Sequence, residues 1–262
     1  MPVRFISPSL GGYSGPLRAR QWEIGGAYRF LSAHQWFVGS DELAAVEASV
    51  HRHQLGGRKP ELRSNRSLSL TLTLPFAHGS HSHISDGGKR HVSRVAGLGD
   101  ITLTGYMWLW NPTTHPGGNI SVGLGLKAPS GNNRALGDSY LADGSVISGF
   151  VDQSIHLGDS GVGVILQAQG YRRILGRTAA YGHGWYLMTP RDHMSIPSPI
   201  PGVPWSVPDV YSIRGGIAHT FSPKRGMSAS FGIRTDGITV HDFVSGSDIR
   251  NFNGFSTISG TV

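Results

Sequence analysis

The chain has 262 residues, of which 38% are hydrophobic and 15% charged, with a formal net charge of +7 and no cysteine. These values exclude a disulfide framework and a thiolate metal site, and no apolar stretch approaches the length of about eighteen residues that a spanning helix requires. The basic residues are scattered singly instead of forming a block, which argues against nucleic acid as a partner. No shift in composition divides the chain, so we expect a single domain over residues 1–262.

The N-terminal part begins with an irregular segment and then shows alternating patterns. Glycine and proline break any period over residues 1–20. A first strand is predicted over 21–30, where Tyr28 and Phe30 share one face. A second strand is predicted over 43–53, although its alanine and glutamate content would also suit a short helix.

The clearest alternation lies at 67–76, where leucine and phenylalanine alternate with serine and threonine. A period of two would scatter both types around a helix, so this run predicts a strand. Because proline cannot donate to a ladder, we expect Pro75 to end the pairing of this strand. The run rich in histidine, serine and glycine that follows, 76–91, is predicted to be a loop.

A long hairpin is predicted over 97–131. Two alternating runs of about ten residues flank a turn that is rich in proline, glycine and asparagine. In the second run, small and polar residues alternate with an apolar set: Ile120, Val122, Leu124 and Leu126. A strand that crosses a bilayer needs about nine to eleven residues, whereas a globular strand has about five or six. The length of both runs therefore favours lipid as the partner of the apolar face.

Further strands complete the pattern. They are predicted over 150–157, 162–171, 178–188, 210–221 and 227–234. A proline-rich run at 196–208 is predicted to be a loop, and residues 246–262 a polar tail. Strands paired in the order of the sequence predict an all-β fold, an antiparallel up-and-down transmembrane β-barrel of roughly 10–12 strands.

Ordered motifs give the sequence a resemblance to a known family. They are RVAGLGD at 94–100, GNISVGLGLKAPSG at 118–131, VDQSIHLGDSGVGVILQAQGYRRI at 151–174, VPDVYSIRGGIA at 207–218 and SFGIRTDGITVHD at 230–242. With them the chain resembles the outer-membrane β-barrel family labelled "meta-pathway of phenol degradation" transporters. The resemblance implies a barrel in the outer membrane of a Gram-negative-type bacterium. It also implies a passive, porin-like channel for small, often hydrophobic or aromatic, compounds.

The chain departs from that family at both ends. Barrels of this kind usually carry an N-terminal leader and close with a strand that ends in an aromatic residue, whereas this sequence begins MPVRFISPSL and ends Ser-Gly-Thr-Val. One hypothesis is that the sequence is a fragment lacking its final strand or strands. Such a barrel would expose two unpaired edges, and these would favour a homo-oligomer.

The polar phase of the strands supplies the candidate lumen. If that phase faces inward, the lumen-lining residues are Glu23, Arg29, Glu47, His51, Lys127, Asp152, His156, Gln167, Gln169 and Arg214. The proline-rich loop is the candidate constriction, through Pro197, Pro199, Pro201, Pro204 and Trp205. The solvent face of a soluble sheet would give the same pattern, so that alternative stays open at this point.

Side chains suited to chemistry are sparse. Four closely spaced imidazoles would suit zinc, nickel or copper: His78, His81, His83 and His91. We favour a solvated loop for them, because no apolar framework would fix ligand geometry, and we expect no cofactor. Asp100, Asp152 and Asp159 lie beside glycine or at strand ends and are interpreted as turn and rim residues.

The sequence therefore predicts a non-enzymatic diffusion channel whose partners are the lipid bilayer and small-molecule solutes. An alternative of a different class is a soluble or secreted β-sheet protein that assembles through open sheet edges. A lipid hydrolase within a barrel is a third hypothesis, and the lack of a nucleophile motif argues against it.

Overall fold

The computed structural model describes residues 25–34, 37–38, 41–42, 49–63, 68–84, 88–140, 143, 145–190, 205–206, 209–222, 227–238, 243–244, 247–248 and 255–261. This part of the chain is almost entirely β-structure, as the alternating sequence predicts. None of the described helices is long and apolar enough to cross a membrane.

The strands follow one another closely. In chain order they are β1 (Gly25–Ala33), β2 (Phe37–Val38), β3 (Asp41–Glu42), β4 (Ser49–Arg63), β5 (Leu68–Ile84), β6 (Arg90–Leu98), β7 (Thr102–Trp108), β8 (Gly118–Lys127), β9 (Leu136–Tyr140), β10 (Val146–Phe150), β11 (Gly163–Leu175), β12 (Thr178–Met188), β13 (Trp205–Ser206), β14 (Val210–Ser222), β15 (Met227–Ile238), β16 (Phe243–Val244), β17 (Ser247–Asp248) and β18 (Phe255–Thr261). A 3-10 helix, Gln153–Ile155, lies between β10 and β11.

One antiparallel meander forms the body of the protein. Its strand order is β1-β4-β5-β7-β8-β11-β12-β14-β15-β18, with β6 also paired to β5. Leu31 of β1 packs against Trp185 of β12 and Val210 of β14, so the sheet curls until its first strand meets side chains from its far half. The described residues show no ladder between β1 and β18, so the sheet is not closed there. The predicted up-and-down barrel architecture is confirmed.

Strands β6 and β7 pair with successive parts of β5, with an interruption between them. Both run antiparallel to β5, β6 along residues 76–84 and β7 along residues 68–73. Residues 99–101 separate them, and this gap places the backbone of Gly99 against β5, where its N–H donates to the carbonyl of Pro75 at 2.8 Å.

The two faces of the meander have opposite chemistry. The buried face carries polar side chains together with a few aromatic rings, among them Ser69, Thr71, Thr73, Thr102, Thr104, Tyr106, Ser121, Gln167 and Ser212. The exposed face carries apolar side chains, among them Leu68, Leu70, Leu103, Met107, Ile120, Val122, Leu124, Leu126, Ile213, Phe231 and Ile233. A sheet that folds in water would bury these apolar groups. The inverted distribution is the one that a lipid-facing barrel requires.

Connections at the two ends of the meander differ in length. At one end the strands are joined by short turns, at 64–67, 109–117, 176–177 and 223–226. At the other end the connections are mostly long, at 34–48, 85–89, 128–162, 189–209 and 239–254. We name these the short-turn end and the long-loop end. In outer-membrane barrels short turns face the periplasm and long loops the exterior.

The prediction that pairing stops at Pro75 is wrong, as is the loop predicted over 76–91. β5 continues to Ile84, and β6 begins at Arg90. The nitrogen and the carbonyl of a strand residue point to the same side. The Pro75 carbonyl points toward the 99–101 gap, so the Pro75 nitrogen, which has no hydrogen to donate, also faces the place where β5 changes its partner strand. Proline is tolerated at this position for that reason. Beyond that point both faces of β5 carry polar residues, which hides the strand from a pattern based on apolar alternation.

Two further predictions need correction. The strand predicted over 150–157 ends at Phe150, and the chain then forms the 3-10 helix. The polar tail predicted over 246–262 contains β18, which pairs with β15 from Ser230 to Asp236. The first two predicted strands correspond to β1 and β4, and residues 1–20, 21–24 and 43–48 lie outside the described residues.

A charged residue introduced on the exposed face tests whether this face contacts lipid or water. Leu124 lies in the middle of β8 with 62% of its surface exposed. If this face meets lipid, Leu124→Arg should lower the free energy of unfolding by about 2–4 kcal/mol, less if the site is near the interface. The measurement is urea unfolding in lipid vesicles, with Leu124→Phe as the apolar control. An arginine variant as stable as the control would show that this face meets water.

Candidate functional site

The connection 128–162 turns into the barrel at the long-loop end. After the β9–β10 hairpin, residues 151–161 form what we call the inner segment. Its apolar side chains are buried: Val151, Leu157 and Ile155, the last with 0% of its surface exposed. The N–H of Val151 donates to the carbonyl of Ala135 at 3.0 Å, and the N–H of Leu157 to that of Asn132 at 3.3 Å.

Glycines in the wall let the inner segment approach. A Cβ added to Gly79 of β5 would lie 2.8 Å from the Cβ of Ile155, and one added to Gly97 of β6 would lie 2.8 Å from Cδ1 of Leu157. Real Cβ atoms do not tolerate such contacts, so a larger residue at Gly79 would push against the backbone-proximal atoms of Ile155, whereas one at Gly97 would require the Leu157 side chain to move. The segment therefore sits against the inner faces of β5 and β6 and narrows this end of the lumen.

Asp152 and His156 fix the local shape of the inner segment. The Asp152 carboxylate accepts the N–H of Ser154 at 2.8 Å and starts the 3-10 turn, and His156 Nε2 donates to the carbonyl of Val151 at 2.9 Å. Burial would raise the pKa of the Asp152 carboxyl, but the charge of His81 and the hydrogen bonds from Ser154 outweigh it, so this pKa is lowered.

A buried ion cluster fastens the inner segment to the wall. Lys127, at the end of β8, donates from Nζ to Asp100 Oδ2 at 3.1 Å, to Asp159 Oδ1, and to the carbonyl of Gly161 at 2.8 Å. The N–H of Gly131 donates to Asp100 Oδ1 at 2.9 Å. Because Lys127, Asp100 and Asp159 are all buried, these contacts are shielded from water.

The cluster holds two carboxylates against one ammonium. Burial raises the pKa of the Asp100 carboxyl, whereas Lys127 opposes that rise and Asp159 adds to it. The loops that carry Asp100 and Asp159 are thus held together through Lys127.

Below this cluster the lumen becomes aromatic. His183 Nε2 of β12 lies 3.2 Å from Gln167 Oε1 of β11, both buried. Trp108 and Tyr171 meet edge to face with ring centroids 5.9 Å apart near the short-turn end. Trp185 is buried as well. These rings give the interior an amphipathic wall, since indole and phenol groups offer both apolar surface and polar atoms.

The predicted lumen-lining residues fall into several groups. Lys127 and Gln167 are buried on the inner face, and Gln169 and Arg214 share the strand phase of such residues. Asp152 and His156 also lie inside, but on the inner segment instead of a strand. Glu23, Glu47 and the side chain of Arg29 lie outside the described residues.

His51 does not lie in the lumen. Its side chain is exposed and stacks on Phe30 with ring centroids 6.4 Å apart, on the outward face of β4. The apolar alternation at 43–53 predicts that His51 faces inward. The ladder instead pairs His51 with Ser32, which lies on the same outward face as Phe30. A shift of one residue in phase exchanges the two faces of a strand.

Most of the predicted constriction loop lies outside the described residues. Pro197, Pro199, Pro201 and Pro204 lie outside the described residues, and Trp205 belongs to the short strand β13. The sequence did not indicate that the inner segment narrows the lumen, because the glycines that it contacts on β5 and β6 are distant from it along the chain. Asp159 caps a turn, as the sequence predicts, because its Oδ1 accepts the N–H of Gly161 at 2.9 Å; Asp100 and Asp159 are in addition buried partners of Lys127.

The structure divides the four histidines of the candidate metal site. His78 is exposed on the outward face, whereas His81, His83 and His91 lie on the inward face. Ring centroids are 5.8 Å apart for His81 and His83, and 6.5 Å apart for His83 and His91. Among the described residues, no group of three potential ligands could hold a metal ion.

The described architecture has a counterpart among solved structures. The chain is similar to the crystal structure of an outer membrane channel from Pseudomonas putida F1, with a TM-score of 0.62 and 13% identity, over 95% of this chain and 84% of that chain. The chain has the fold of an outer-membrane β-barrel. No family model matches the sequence, and no curated protein is similar to it in sequence, so the resemblance to phenol-pathway transporters has no support of that kind.

The ion cluster gives a test of what holds the inner segment in place. Lys127→Met leaves two carboxylates buried without a counter-ion, which should lower the free energy of unfolding by about 3–5 kcal/mol. The triple variant Asp100→Asn, Lys127→Met and Asp159→Asn removes all three charges and should recover most of that loss. Heat-dependent gel migration and urea unfolding measure both. Equal instability of the two variants would show that shape, and not charge, matters here.

Proposed function

We propose that the protein is an outer-membrane channel through which small solutes diffuse passively. The observation that carries this proposal is the inverted sheet, with an apolar exterior around a polar and aromatic interior. The fold shared with a solved outer membrane channel supports it. Diffusion through a lumen needs no catalytic group, which agrees with a non-enzymatic role.

The inner segment would set the selectivity of this channel. It occupies the long-loop end, which faces the exterior if the usual orientation of outer-membrane barrels holds. The interior below it carries the buried hydroxyls of Thr71 and Thr104, and lower down the buried rings of Tyr106 and Trp108. Polar walls keep the lumen wet, and a constriction lined by side chains sets size and chemical preference.

Small aromatic solutes are the substrate class that we propose. The support is the set of ring-bearing side chains on the inner face: Tyr106, Trp108, Tyr171 and Trp185. Aromatic rings pack against one another edge to face or offset, which gives weak contacts that a passing solute can make and leave.

Conductance in planar bilayers tests the channel and its constriction together. Replacing residues 151–161 by a short glycine-serine linker should raise single-channel conductance several-fold, because the linker leaves the lumen open at the long-loop end. Replacing residues 112–116 in the short turn between β7 and β8 is the matched control and should leave conductance near the wild-type value. No discrete conductance from either wild type or the linker variant would overturn the channel.

One observation favours a second candidate, a β-sheet protein that assembles through its edges. The described residues show no ladder between β1 and β18, so two strand edges are available for pairing. The two candidates differ in their need for detergent. A closed barrel needs detergent and migrates faster on a gel before boiling, whereas an edge-paired assembly stays soluble without detergent and forms large particles.

A further inference from the structure

The outward face of β1, β4, β5 and β6 at the long-loop end presents side chains in register. One row across the four strands is Ser32, His51, Ser80 and Arg94, and the next is Phe30, His53, His78 and Ala96. Directly paired residues have Cβ atoms about 5 Å apart, so each row is a continuous strip of surface. The side chain of Leu31 points the other way, toward Trp185, and a Cβ added to Gly79 would point toward Ile155, which fixes this face as the outer one.

Hydroxyl groups position the upper part of this face. Arg90 Nη1 donates to Ser82 Oγ at 2.9 Å, and the Ser82 and Ser49 hydroxyls lie 2.6 Å apart. His51 Nδ1 lies 3.1 Å from the Ser32 hydroxyl. We name the set His51, His53, His78, Arg90 and Arg94 the basic patch. All five side chains are exposed.

The face changes from basic to apolar along the strands. Phe30 already lies in the row of His53 and His78. Toward the short-turn end, the next row carries Tyr28 and Phe76, and Leu70 and Leu68 lie further down β5. No described residue in the rows from Ile84 down to Phe76 is acidic. A ligand that fits this surface therefore has an anionic head next to apolar chains.

We propose that the basic patch binds a phosphate-bearing, multiply acylated glycolipid of the outer leaflet. The proposal rests on the outer-membrane location given under the proposed function. Guanidinium groups pair with phosphate oxygens through two parallel hydrogen bonds, and the serine hydroxyls and imidazoles add further polar contacts. The acyl chains then lie along the apolar rows below, so head and chains are recognised by one continuous surface.

Binding of lipid A, a bisphosphorylated glucosamine disaccharide with six acyl chains, tests the proposal. The full chain in detergent is titrated with lipid A and binding is followed by native mass spectrometry. Arg90→Gln with Arg94→Gln should weaken binding about thirtyfold, because two cations near the headgroup are lost. The control double variant, Arg172→Gln with Arg177→Gln at the short-turn end, should bind like the wild type.

A second variant and two further probes separate the sources of binding. Ser80→Glu keeps both arginines but places a carboxylate in the row of His51 and Arg94, and it should also weaken binding. Inorganic pyrophosphate and the same lipid without its phosphates should bind far more weakly than lipid A. Unchanged lipid A binding by the arginine variant, or equal binding of either probe, overturns the proposal. Lipid binding and conductance are measured separately. Loss of lipid binding would leave the channel proposal intact, and a protein that shows no conductance could still bind the lipid.

Discussion

The two-residue alternation of a β-strand is the constraint on which the structure depends. Successive side chains point to opposite faces, so lipid on one side obliges every second residue to be apolar and leaves only the alternate positions for the interior. Those interior positions must carry everything else: the polar wall, the rings of Trp108 and Trp185, and the glycines at 79 and 97 that admit the inner segment. A substitution at one strand position therefore alters either the outer or the inner surface of the barrel, and not both.

The inner segment and the wall depend on each other. Ile155 and Leu157 are buried only because β5 and β6 offer bare backbone, while Lys127 brings Asp100 and Asp159 together from two separate loops. Apolar contact places the segment, and the ion cluster fixes its end. Since a buried ion group is stable only when it is complete, the segment is expected to be either seated or released as a unit.

Much of the meander can be predicted from the sequence, and most of the site cannot. Alternation predicts β12 at its observed bounds, 178–188, and places Lys127 and Gln167 on the inner face. The pattern fails in β5 beyond Pro75, where polar residues stand on both faces. It also fails at 150–157, where alternation suggests a strand but the Asp152 carboxylate and buried Ile155 favour a turn inside the lumen. Contacts between residues distant along the chain leave no local signal.

The break between β6 and β7 makes the rim of the barrel uneven. Above residues 99–101, β1, β4, β5 and β6 continue as a four-stranded screen, whereas β8 ends at Lys127 and β11 begins at Gly163. A molecule approaching from the long-loop end therefore meets a high wall on the side of these four strands. The entrance to the lumen is asymmetric, so the direction from which a solute approaches decides which surface it contacts first.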